Sequence, residues 1–89
     1  MRAVLTVIGK DKVGIIAGVS QKLATLDINI LDVSQTIMDH YFTMMMMLEV
    51  NDLNADFGQI KEELTALGKT LEVKINIQRE EIFETMHKL

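Results

Sequence analysis

The spacing of apolar residues changes period several times along the chain, and each change marks an element. Residues 2–8 (Arg-Ala-Val-Leu-Thr-Val-Ile) are β-branched and mostly apolar, which predicts a strand near the centre of a sheet. From Gly14 to Leu26 the period lengthens: Ile15, Ile16, Val19, Leu23 and Leu26 recur every three or four residues and predict one apolar helix face. Asp11 is the expected N-cap of that helix, and Asp27-Ile28-Asn29 the turn out of it. Residues 30–38 read as a second strand, with Leu31, Val33 and Ile37 on one face. Asp39-His40 is a two-residue hairpin signal. In the third strand, 41–50, Phe42, Met44, Met46, Leu48 and Val50 share the core face.

The polar loop Asn51-Asp52-Leu53-Asn54 leads into a second helix, predicted to run to about Leu67 with Phe57, Ile60, Leu64 and Leu67 in a stripe. Asp56 and Gln59 fit a capping box, and Gly68 fits a helix stop. Leu71, Val73, Ile75 and Ile77 then alternate with Glu72, Lys74, Asn76 and Gln78, the pattern of a strand with one wet face. Ile82, Phe83, Met86 and Leu89 return to helical spacing and predict a short third helix.

The order is β-α-β-β-α-β plus a C-terminal helix. Right-handed crossovers then give an α+β, ferredoxin-like fold: a four-stranded antiparallel sheet with two helices on one face. Residues 1–89 form a single domain, its core spanning about 1–78. On the other face of the sheet, Val4, Thr6, Ile8, Thr36, Met45 and Met47 make an apolar patch. A monomer seldom leaves such a patch wet, so the C-terminal helix, within or between subunits, is expected to cover part of it.

Composition narrows the function. A net charge of −4 weighs against non-specific nucleic-acid binding and against an electrostatic membrane anchor. No Cys is present, so disulfides and thiolate zinc sites are excluded. The first apolar run stops at Gly9-Lys10-Asp11, too short for a signal segment or a membrane span. A cytoplasmic location is expected.

Little in the chain carries chemistry. Met44-Met45-Met46-Met47 resembles a soft-metal ligand set, but strand alternation sends neighbours to opposite faces, which favours packing roles. His40 and His87, even with Asp39, fall short of a zinc ligand set. There is no cysteine nucleophile, Ser20 and Ser34 lie inside elements, and Glu80, Glu81 and Glu84 read as a solvated helix face. An enzyme is not expected, and no cofactor is implied. The remaining candidate is the strand–turn–helix junction from Val7 to Ile16. There the N–H groups of Val13, Gly14 and Ile15 could hold a carboxylate at a helix N-terminus. Lys10 and Lys12 would offset the charge of Asp11, which as a cap would compete for the same donors.

Gly9-Lys10-Asp11-Lys12-Val13-Gly14-Ile15 resembles the strand–helix turn of the ACT domain family, often Asp-Arg-Pro-Gly, with Lys12 in place of Arg and Val13 in place of Pro. Leu26-Asp27-Ile28-Asn29-Ile30 resembles the family's helix exit. Asp32-Val33-Ser34-Gln35-Thr36 and Tyr41-Phe42-Thr43-Met44-Met45 are similar to segments of its small stand-alone members. The resemblance implies a ligand-sensing homodimer (or higher homo-oligomer) that binds a small molecule, often an amino acid, between subunits. The residues it points to are Asp11, Lys12, Val13, Gly14, Ile15 and Asn29, with Gln35 lining the same interface. The alternative is an adaptor that dimerises or docks a metabolic enzyme or regulator without a small ligand. A metal-responsive module built on Asp39 and His40 is the third option.

Overall fold

Strand β1 (Arg2–Lys10) lies between β3 (Tyr41–Val50) and β4 (Val73–Arg79), and β2 (Ile28–Met38) pairs with the other side of β3. The computed structural model describes residues 1–52 and 54–86. Expectations for Leu53, His87 and Leu89 lie outside the described residues. The sheet order is β2-β3-β1-β4 and every pairing is antiparallel. Helices α1 (Ile15–Thr25) and α2 (Phe57–Leu71) complete the ferredoxin-like plan, and α3 (Glu80–Met86) follows β4.

The central position of β1 follows from its sequence. Ala3, Val4, Leu5 and Val7 are all buried, as only a strand with neighbours on both sides and cover on its faces allows. The core joins Leu5 and Val7 to Met44 and Met46 of β3, Ile75 and Ile77 of β4, Ile15, Val19 and Leu23 of α1, and Ile60 and Leu64 of α2. The methionine run alternates: Met44 and Met46 are buried while Met45 is 44% exposed. The hairpin falls at Asp39-His40, with Met38 opposite Tyr41 and Asp39 in the left-handed region.

Helix α2 starts as its cap predicts. Asp56 accepts from the N–H groups of Gly58 (3.0 Å) and Gln59 (3.4 Å). Its end differs from expectation. Gly68 does not stop the helix, which runs on through Leu71 and ends at a left-handed Glu72. Leu71 is therefore the last helical residue and not part of β4. Gly68 serves close packing instead: a Cβ there would lie 2.7 Å from the carbonyl oxygen of Val73. The missing side chain lets α2 lie directly on the β4 backbone.

Helix α3 packs against β1 and β4 on the outer face. It covers that face in part. Val4 is buried, but Ile8 (53%) and Met45 (44%) stay exposed, as do Ile82 and Met86 of α3 itself. Arg2 and Glu80 pair at 3.6 Å across this contact.

Glycine inside a helix normally costs stability relative to alanine, so Gly68→Ala would ordinarily stabilise. Here the new methyl meets backbone, and we expect a loss of about 2 kcal/mol. Urea unfolding measures it; a gain in stability would show that α2 does not rest on β4 through Gly68.

Candidate functional site

The turn between β1 and α1 differs from expectation in one respect that bears on chemistry. Asp11 does not cap α1. Its backbone N–H donates to the carbonyl of His40 at 2.8 Å, tying the turn to the β2–β3 hairpin. Three residues separate it from the first helical residue, too many for a cap, which sits immediately before the helix. The N-cap is Gly14, at φ 96°, and no side chain bonds the helix start. The first internal bond of the helix is from Gly18 N–H to Gly14 O, at 2.9 Å. The N–H groups of Ile15, Ile16 and Ala17 precede it and are not taken by an Asp11 carboxylate.

The surroundings of the turn are open. Val13 is fully solvated, and a Cβ on Gly14 would meet nothing within 4 Å. Ile15 is buried and anchors the helix, while Ile16 is 42% exposed. Lys12 extends to Glu72, with Nζ 3.1 Å from Oε1. That pair is exposed and contributes little to stability, but it turns the Lys12 ammonium toward the end of α2.

Asn29 is not beside the turn in one chain. It stands opposite Glu49, which stands opposite Arg2, so it marks the end of the sheet where β1 begins. The turn leaves the other end, after Lys10, eight residues or roughly 26 Å along the strand. The topology requires this, because α1 runs back along the sheet before β2 starts. Asn29 also follows the buried Ile28, so it points to the face away from the helices. Gln35 stands opposite the buried Met44 and so lies on the helix side of β2, between Val33 and Ile37.

Sequence reading missed the state of β2. Of its residues only Ile28 is buried; positions 29–38 are all exposed. Ile30 (38%), Val33 (45%) and Ile37 (51%) lie on the helix side, and neither helix covers them. A β-bulge between Ile30 and Asp32 leaves Leu31 out of register, so Leu31 does not share the face of Val33 and Ile37 in the regular way expected. The signal was available as the absence of Lys and Arg from 28–38, unusual for an edge. On the outer face, a cavity of about 340 Å³ lies between the sheet and α3, lined by Thr6, Met45, Asn76, Gln78, Phe83 and Met86 among others.

Metal chemistry gains no support from geometry. Asp39 and His40 approach to 3.7 Å but are both highly exposed. Among the described residues no three His, Asp or Glu side chains converge on a common point, and no helix is long and apolar enough to cross a membrane.

The model of the ACT domain matches residues 2–78. The chain belongs to the ACT domain family. This ACT domain is 68% identical, over the whole of both chains, to the UPF0237 protein lin0537 of Listeria innocua. It is similar to the solved ACT domain protein from Streptococcus pneumoniae, at 54% identity and TM-score 0.85, over 94% of each chain. It also resembles a segment of the formyltetrahydrofolate deformylase from Pseudomonas syringae, at 26% identity and TM-score 0.77, covering 88% of this chain and 27% of that one.

The positive φ of Gly14 makes a simple alanine test of the turn ambiguous. Gly14→Ala should lower stability by about 1–2 kcal/mol, the cost of placing a Cβ in left-handed backbone, with Gly14→Asn costing less. Thermal unfolding of both variants checks this; equal, negligible losses would mean the turn relaxes out of that conformation.

Proposed function

We propose that this ACT domain is a non-catalytic regulatory module of the cytoplasm that binds a small amino-acid-like molecule at a homodimer interface. The observation that carries the reading is the uncapped start of α1. Ile15, Ile16 and Ala17 have N–H groups ahead of the first intrahelical bond, and no side chain bonds that helix start. A helix N-terminus of this kind favours a carboxylate through its donors and its dipole. Lys12, Val13, Gly14 and Ile15 form the approach to it, and Asp11 secures the turn through its backbone.

Asn29 lies at the other end of the sheet from the turn and faces away from the helices, so within one chain it does not serve the same ligand. Gln35, exposed on the helix side of β2, is the candidate residue left to line a subunit interface.

Dependence on another protein is the second reading. The uncovered apolar residues of β2 favour it, since exposed apolar surface marks association whether or not a small ligand is present.

A thermal-shift screen against the twenty amino acids tests the reading. A ligand of the folded state adds about 2.7 kcal/mol at a hundredfold excess over its Kd, so one or a few amino acids should raise the melting temperature with concentration. Val13→Asp then tests the site. Val13 is fully exposed, so the fold should be unchanged, while the new carboxylate repels an incoming one and affinity falls about tenfold or more. A screen without a shift favours the adaptor; a shift that Val13→Asp leaves intact moves the ligand elsewhere.

A further inference from the structure

Strand register sets what the outer face of the sheet presents. Thr6 of β1 stands opposite Met45 of β3 on one side and Asn76 of β4 on the other. Two residues along, Val4 stands opposite Met47 and Gln78. Alternation puts these side chains on the face away from α1 and α2, because their neighbours Leu5, Met46 and Ile77 belong to the core.

Helix α3 roofs that face. Strand β4 ends at Arg79 and α3 begins at Glu80, so the chain turns over the sheet without a linker. Glu80 pairs with Arg2 at the start of the helix, and Nε2 of Gln78 donates to Sδ of Met86 at 3.3 Å near its end. The roof does not settle on the sheet. The cavity of about 340 Å³ lies between them, within the roughly 300–1,000 Å³ of small-molecule sites. Val4, Thr6 and Met45 form its floor, Asn76 and Gln78 one wall, and Phe83 and Met86 its cover.

The chemistry of that lining selects a ligand class. It holds no charged side chain, in a chain where 25% of residues are charged. A charged ligand would lose water there and gain no counter-ion, a cost that a neutral one escapes. The Phe83 ring and the thioethers of Met45 and Met86 favour a flat aromatic body. The polar groups are just as specific. Neither the Thr6 hydroxyl nor the Asn76 amide makes a side-chain hydrogen bond among the described residues. Thr6 is half-buried, yet its hydroxyl is not sealed from solvent, so it opens onto the cavity. The Asn76 amide presents an N–H donor and a C=O acceptor side by side, the complement of another amide. Thr6, directly across from it, both donates and accepts.

We infer that this cavity binds a small uncharged heteroaromatic amide, with its amide edge on Asn76 and Thr6 and its ring against Met45, Phe83 and Met86. The amide is either a carboxamide on the ring or a lactam within it. The sheet separates this site from the start of α1, so the two readings are independent.

Methionine-methyl NMR of the whole chain reads the site directly. Met45 and Met86 line the cavity, while Met44 and Met46 are buried on the other face. The probes are nicotinamide, hypoxanthine and nicotinate, the last carrying nicotinamide's ring with a carboxylate in place of the amide. Nicotinamide or hypoxanthine should shift the Met45 and Met86 methyls together, saturating by about 10 mM, and leave Met44 and Met46 in place. The tighter of the two tells a ring carboxamide from a lactam. Nicotinate should bind at least about tenfold more weakly than nicotinamide. Thr6→Val and Asn76→Leu should each weaken the better probe about five- to tenfold by leaving a polar group of the ligand unpaired. Asn76 is exposed, so its replacement spares the fold, and circular dichroism checks both variants. Val13→Asp, on the far side of the sheet, should change nothing here. Failure of both neutral probes to move Met45 and Met86 overturns the inference. So does nicotinate that matches nicotinamide, or binding that Thr6→Val and Asn76→Leu both leave unchanged. A flat amino-acid screen would sink the reading of the α1 start and leave this cavity standing.

Discussion

The structure depends on how two helices share four strands. Helix α2 is committed to β4, where Gly68 lets the two backbones touch. Helix α1 buries Ile15, Val19 and Leu23 in the common core, and Lys22 ties it to Glu63 of α2 at 2.9 Å. Helix α2 packs on β4, and although α1 touches β2, the side chains of Ile30, Val33 and Ile37 stay exposed on the helix side of that strand. The turn before α1 follows from the same arrangement: the helix begins at the sheet's end with no side chain capping its first donors.

These two unfinished features are separate. An uncapped helix start is a place for an anion, and exposed apolar residues on β2 mark a surface for association. Asn29 does not join them: it lies at the other end of the sheet from the turn and faces away from the helices.

Much of this was legible in the sequence. The alternation of Phe42, Met44, Met46, Leu48 and Val50 fixed β3, and the Asp56 cap placed α2, because burial period and capping are local. The failures were those of non-local causes. Gly68 looks like a stop because glycine usually is one; its actual role depends on Val73 across the helix–strand contact. Asp11 looks like a cap because Asp usually is one, but its backbone is pulled to His40 of the hairpin. Val33 and Ile37 read as one face of a strand, and no pattern within one chain says whether that face is covered. The resemblance groups Asn29 with the turn, but α1 and the length of the sheet lie between them.

Native amide hydrogen exchange with and without the twenty amino acids, read residue by residue, bears most directly on the idea that the start of α1 holds a carboxylate. The N–H groups of Ile15, Ile16 and Ala17 precede the first intrahelical bond and should exchange faster than the rest of α1 in the free protein. They should become protected together when the right amino acid is added. If those three stay fast with an amino acid that raises the melting temperature, the ligand docks elsewhere and the start of α1 remains uncapped.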